Sequence, residues 1–364
     1  MRFVFASYVV TDTYSKPEAW LYRIRAYTGM LEALSAAHEV ISIEQINYEG
    51  ECLANGVQYK FKRFGKERLS NSFNLNCYIK SLKPDVVFIQ SLHFPLQVIA
   101  LRNQLGSGVK IMVQNHAEQP FTGIKKYLQR FADSYIDAYL FASQQMGNDW
   151  VKKGNIASAK KIHEVMEVSS VFYPLDRSLA IQKTGALGRA YLWVGRLNDN
   201  KDPLNVVNAF IDFAERHPEV RLYMIYHTEE LLSEVIALLE ARTAHDSVIL
   251  VGKVPNDELL HWYNSVDFVV SGSHYEGSGT AVCEAMSCGC IPIVTDIFSF
   301  RAMTDDGRCG ILYPPGDRGA LLSALTATMQ MDVIQQRERS LDFFNENLSF
   351  EAIAQKIQII AGSL

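Results

Sequence analysis

Long hydrophobic runs are missing from this 364-residue chain: no stretch approaches the roughly 20 apolar residues that a bilayer-spanning helix needs. Residues 1–10 also lack a long apolar core and a small-residue cleavage site. They therefore read as a buried first strand rather than a signal peptide, and the expected location is the cytoplasm. Cysteine is sparse, with six residues at 52, 77, 283, 288, 290 and 309. None belongs to a C-x-x-C pair, so buried free thiols are expected and no metal centre. No Asp-x-Asp is present to hold a divalent ion against a diphosphate. No G-x-G-x-x-G is present either: Gly277-x-Gly279 has Val282 where the third glycine would stand, which argues against a nicotinamide or flavin oxidoreductase.

What is there is ordinary folded composition, 48% hydrophobic and 21% charged, in a length suited to two domains. The net charge of −5 divides unevenly: residues 1–180 carry 21 Lys and Arg against 16 acids, and the rest carries 14 against 24. The basic half suits an anionic acceptor or a membrane surface, while the acidic total and the lack of a basic-aromatic recognition motif argue against nucleic acid. Residues 59–68 interleave Tyr59, Phe61 and Phe64 with cations. This pattern suggests peripheral contact with the inner membrane surface, with an exposed strand and loop as the plainer reading.

Short β-branched and aromatic runs alternate with helical patterns throughout. Strands are expected near 2–10, 39–44, 85–90, 109–114, 136–142 and 161–167, and again near 190–195, 220–226, 247–252, 267–272 and 291–295. Their continuous apolar character suits parallel strands covered on both faces. Helical spacing runs through 17–34 and 124–134. The small, polar stretch at 181–189 reads as a linker. The expected organisation is an N-terminal Rossmann-like domain over 1–180, a second over 190–345, and a helix in 346–364 that possesses an apolar stripe (Phe350, Ile353, Ile357, Ile360) and docks back on the first domain. Two such parallel sheets are expected to face a central cleft, where strand C-termini gather.

The chemistry concentrates in 271–296. A buried strand enters a glycine loop, then an apolar helix, then another buried strand. Gly277 and Gly279 let a ligand approach the backbone, and a helix beginning at Thr280 aims unpaired N–H groups and a positive dipole end at it. Glu284 is the only charge between Glu276 and Asp296. A carboxylate placed in so apolar a stretch needs partners, and ribose hydroxyls or neighbouring protein hydroxyls would serve. Arg196 and Lys201 follow a strand end, where two cations could neutralise a diphosphate without a metal.

Glu276-x7-Glu284 followed by Ala-Met-Ser-Cys-Gly-Cys-Ile-Pro-Ile-Val resembles the signature of the family 4 retaining glycosyltransferases of GT-B fold. Gly195-Arg-Leu-x3-Lys201 is similar to that family's donor-phosphate motif, and Val251-Gly-Lys-Val254 to its nucleobase-contacting loop. The resemblance implies transfer of a sugar from a nucleotide-diphosphate donor to a glycan or lipid-linked acceptor with retention, without cofactor or metal, in polysaccharide or glycolipid synthesis. It implies that Arg196 and Lys201 hold the diphosphate and that Glu284 binds the ribose. Glu276 with Gly277, Ser278, Gly279 and Thr280 would hold sugar and phosphates, Lys253 and Val254 would lie by the base, and His116 by the transferred sugar. The sequence departs from the family at Ser7–Pro17, where a glycine-rich loop is usual, and at Ser278, where an aromatic is common. A sugar-nucleotide epimerase and a non-catalytic GT-B-like binding module remain the alternatives.

Overall fold

The continuous apolar runs form parallel strands. A computed structural model of the chain describes residues 1–65 and 68–364, and these fall into two units, 1–169 with 350–364, and 170–349. In the first unit β1 (Arg2–Ser7), β2 (Glu39–Glu44), β3 (Gly50–Ala54), β4 (Val57–Phe61), β5 (Val86–Gln90), β6 (Lys110–Gln114), β7 (Ala138–Phe141) and β8 (Ile162–Glu164) form one sheet. Their order is β3-β4-β2-β1-β5-β6-β7-β8, parallel apart from the β3–β4 hairpin. That hairpin is an addition to the expected strands. Its turn is Asn55-Gly56, with φ of 47° and 82°, the left-handed pair that a two-residue hairpin loop requires.

The second unit holds β9 (Arg189–Gly195), β10 (Val220–Tyr226), β11 (Val248–Gly252), β12 (Phe268–Ser271), β13 (Ile291–Thr295) and β14 (Ile311–Tyr313), ordered β11-β10-β9-β12-β13-β14 and all parallel. Successive residues of β9 serve opposite faces. Tyr191 and Trp193 join one apolar cluster with Phe210 and Phe213, while Ala190 and Leu192 join another with Tyr263 and Val269. Tyr191 stacks on Phe268 at 4.8 Å. Each fully buried side chain of this size contributes about 1.5–3 kcal/mol, which explains why the strands are apolar without alternation. Strand order reverses between β9 and β12 here, and between β1 and β5 in the first unit. Such reversals open a crevice at the strand C-termini.

Several expectations need correction. The linker at 181–189 is not one: residues 181–184 complete the Arg177–Thr184 helix, Gly185 caps it with φ of 71°, and the boundary between units falls at 169–170. The helix expected over 17–34 is broken at Ile24 into Pro17–Arg23 and Arg25–Ser35. Within 59–68, Lys66 and Glu67 lie outside the described residues. Tyr59, Phe61 and Phe64 are buried, so the aromatic half of the membrane pattern is spent on the core. Four cysteines are buried, but Cys52 is half-buried and Cys77 exposed. Burial pushes the Cys290 thiol up to about 12, which keeps it protonated.

The Phe350–Ser363 helix belongs to the first unit and packs on the Arg25–Ser35 helix. A Cβ on Gly29 would lie 2.5 Å from the Phe350 ring, so glycine permits the two helices to approach there. Among the described residues, no helix is long and apolar enough to cross a membrane.

Candidate active site

The two loops flanking the reversal in the second unit are stitched together. After β9 the chain runs through Arg196 into a short helical turn, Asp199–Lys201, whose N-cap Asn198 accepts from Lys201 N at 3.2 Å. Asn200 then bridges to the loop after β12. Its Nδ2 donates to Tyr275 O at 3.0 Å, its Oδ1 accepts from Tyr275 N at 3.1 Å, and its carbonyl accepts from His274 N at 2.8 Å. Asp202, left-handed at φ 46°, pairs with His274 at 3.2 Å. Lys201 Nζ is ion-paired with Glu276, both side chains being largely buried. A Cβ on Gly272 would meet Lys201 O at 3.1 Å, so the backbones themselves are close. The structure thus brings Lys201 and Glu276 together, through Asn198, Asn200, Asp202 and Gly272, which sequence reasoning did not single out.

Beyond Glu276, Gly277 and Ser278 are buried and lead into the Thr280–Ser287 helix. Its N-cap is Gly279, at φ 58°, with no side-chain cap on the first turn. Val282 N and Cys283 N return to Gly279 O, at 2.9 and 3.1 Å. The amide groups ahead of them carry the positive end of the helix dipole. A Cβ on Gly279 would lie 2.5 Å from the Phe300 ring.

One turn further on, Glu284 accepts a hydrogen bond at 3.0 Å from Tyr263 OH. Tyr263 is fully buried. Burial first, and the Glu284 charge second, push its phenol far above the ordinary range, so it remains a donor. The protein hydroxyl considered as a partner for Glu284 is therefore present, and it fixes one carboxylate oxygen. Arg196 is exposed at the end of β9. Lys253 is exposed and Val254 packs against the apolar cluster beneath. Both follow β11, two strands removed from β9.

The first unit has its own cavity at its reversal, of about 400 Å³, lined by Ser7, Trp20, Tyr27, Glu44, Gln90 and His116 among others. Ser7 to Pro17, the segment without glycine, is laid along the chain after β2: Thr11 N donates to Gln45 O at 2.9 Å and Asn47 N to Tyr14 O at 2.8 Å. Glu44 is buried and takes hydrogen bonds from Ser42 Oγ (2.6 Å) and Trp20 Nε1 (2.8 Å). Burial raises its carboxyl above the ordinary range despite both bonds.

His116 follows β6 in a turn organised by buried Glu118, which accepts from Leu92 N, Asn115 Nδ2 and His116 N. The imidazole meets Gln90 through Nε2 and Glu167 through Nδ1, the latter at 2.5 Å. Burial disfavours its charge, but the Glu167 hydrogen bond and the Glu167 and Glu118 charges outweigh that, and the pKa lies above 6.5. Glu44, Glu118 and Glu167 were not singled out in the sequence. Among the described residues, no group of three or more His, Cys, Asp or Glu side chains gathers as a metal-binding cluster would.

Residues 183–340 match the family model described as Glycosyl transferases group 1. A mannosylfructose-phosphate synthase of Agrobacterium fabrum is 30% identical over 159 residues, covering 40% of this chain and 35% of the relative. A phosphatidyl-myo-inositol mannosyltransferase of Mycobacterium leprae is 28% identical over 155 residues, covering 42% and 40%. The chain therefore spans well under half the length of these curated relatives. Among solved structures, a sucrose-phosphate synthase from Thermosynechococcus elongatus superposes with a TM-score of 0.72 at 15% identity, covering 100% of this chain and 98% of that one. The Anabaena protein HepE in complex with UDP gives 0.73 at 13% identity, covering 100% of both. At such identities the likeness shows the fold, which is GT-B.

Proposed function

We propose that this chain, whose residues 183–340 match the group 1 glycosyltransferase model, transfers a sugar from a nucleoside-diphosphate donor held by its second unit. The observation that carries this reading is the pair of loops across the β9–β12 reversal, locked by Asn200 and by Lys201–Glu276 beside a helix N-terminus without a side-chain cap. Amides aimed at an anion, one lysine at the loop junction and one exposed arginine at the strand end are the charges a leaving diphosphate requires. That a structural neighbour of the same fold was solved in complex with UDP agrees with a nucleotide donor.

In the proposed reaction the acceptor hydroxyl attacks the anomeric carbon from the side of the leaving group. The bond from that carbon to the diphosphate oxygen breaks, its electron pair stays on that oxygen, and the hydroxyl proton passes to the phosphate. Configuration is retained. Lys201, Arg196 and the first amides of the Thr280–Ser287 helix stabilise the charge that develops, so the reaction runs without a divalent ion. Glu284, steadied by Tyr263, accepts from the ribose hydroxyls. Glu276, relieved of Lys201 as the phosphate takes that cation, accepts from the sugar.

The first-unit cavity, with Trp20 as an apolar wall and Glu44 and Gln90 as polar groups, is proposed to hold a hydroxylated glycan acceptor, free or lipid-linked. The test is turnover of UDP- and GDP-sugars with a panel of glycan acceptors, followed by NMR of the product anomer, with and without EDTA. Retained configuration and EDTA-insensitive rates are expected. Inverted product, or loss of activity in EDTA restored by a divalent ion, would overturn those two parts of the mechanism.

A further inference from the structure

The Gly123–Ala132 helix of the first unit turns its largest apolar side chains outward. Ile124, Tyr127 and Phe131, spaced to share one face, are 80, 71 and 59% exposed. The inward face is small and mixed: Ala132 and Gln129 are buried, Leu128 is half-buried, and Gln129 donates through Nε2 to Tyr139 OH at 3.1 Å. A soluble helix ordinarily turns its apolar stripe to the core. Three large apolar side chains left outward on one ten-residue helix are therefore an interaction surface.

Its charges say what it meets. The helix carries Lys125, Lys126 and Arg130 and no acid. Lys126 and Arg130 lie beside the apolar stripe, Lys126 against Gly154, which follows exposed Lys152 and Lys153 in the chain. The acids nearby are committed: Asp133 is buried and faces Arg130 at 3.5 Å, and Asp149 pairs with Lys153 at 2.8 Å. Lys125 is turned onto Phe121, 4.0 Å from its ring centroid, and His93.

We propose that this helix lies in the interface of an anionic phospholipid bilayer. Ile124, Tyr127 and Phe131 enter the acyl boundary while Lys126 and Arg130 remain at the headgroups. A neutral protein groove would match the stripe but offer no anion to the cations beside it, Lys126 and the half-exposed Arg130, whereas anionic headgroups match both. The membrane-facing element is therefore residues 123–132, not the 59–68 segment whose aromatics are buried. This rests on the helix alone and is independent of the catalytic reading.

The test is flotation of the whole protein with vesicles of phosphatidylcholine, or of phosphatidylcholine with phosphatidylglycerol. Binding to the anionic vesicles is expected, weakening as salt is raised. The triple variant Ile124→Ser, Tyr127→Ser, Phe131→Ser should bind at least about tenfold more weakly. Its melting temperature should not fall, since the three side chains are exposed. Lys126→Glu should also weaken binding, and Ile124→Trp should show a blue-shifted emission that spin-labelled lipid quenches. Absence of binding by the unaltered protein, or equal binding by the triple variant, would overturn the proposal. So would a dimer of the unaltered protein that the triple variant dissolves without any vesicle binding, which would assign the face to a second copy of this chain.

Discussion

Lys201 and Glu276 hold one another in the free protein, and that pairing bears on how each would act. Both side chains are largely withdrawn from water, so each stabilises the other's charge at a position where an isolated ion would be costly. In the proposed reaction a diphosphate bearing two negative charges would compete for the ammonium, and its departure is where Lys201 would count most. Lys201→Ala should therefore lower kcat far more than it raises donor KM. The expected loss is about 100- to 1,000-fold, as for removal of one preorganised donor to a developing charge. Steady-state kinetics decide it, and near-normal kcat would remove Lys201 from the reaction.

His116 gives a prediction of a different kind. Its pKa is raised in the folded chain, so the contact with Glu167 contributes stability that is fully present below the unfolded value near 6.5 and fades as pH rises through the higher folded value. Melting temperatures measured from about pH 5 to 9 should fall across that window in the parent protein. In Glu167→Gln, which removes the charge and keeps the shape, the fall should be smaller. An unchanged profile would mean that the pair does not titrate as described.

At the scale of elements, the site depends on two loops keeping their register. Asn200 joins them through side-chain hydrogen bonds to both backbone groups of Tyr275. Asn200→Ala removes both, each worth about 0.5–1.5 kcal/mol. It should lower stability by about 1–3 kcal/mol in denaturant titrations and weaken nucleotide binding, although Asn200 is not assigned a contact with the donor. Full stability with full affinity would show that the loops do not need the bridge.

Much of this architecture was legible in advance and some was not. Val86–Gln90 and Phe268–Ser271 announce themselves because a strand buried on both faces must be apolar throughout. β14 has only three residues and too little pattern to stand out. The β3–β4 hairpin did have its signal, Asn55-Gly56, which the aromatic-cationic pattern of 59–68 overshadowed. Glu276, Glu284 and Lys201 drew notice because charge or glycine beside a buried strand is unusual. Asn200 is one polar residue in a polar loop, and Tyr263, the partner of Glu284, lies 21 residues away along the chain, so only the fold connects them. Likewise the spacing of Ile124, Tyr127 and Phe131 defines a face, but periodicity cannot say whether that face turns inward or out.

At the scale of the whole molecule, two sheets of the same construction carry different chemistry at their reversals. The first unit offers a cavity bordered by Trp20, Glu44 and a histidine whose Nδ1 meets Glu167. The second offers cations and helix amides suited to a diphosphate, with Glu284 set one helical turn beyond. The assignment of a nucleotide to the second unit is what the rest depends upon. Titration calorimetry with UDP, GDP and ADP, in EDTA, on the parent chain and on Glu284→Ala tests it most directly. One nucleotide should bind with one site per chain, and Glu284→Ala should bind it about 10- to 100-fold more weakly, the cost of lost hydrogen bonds to a charged group. No binding by any of the three, or equal affinity in the two proteins, would contradict the account.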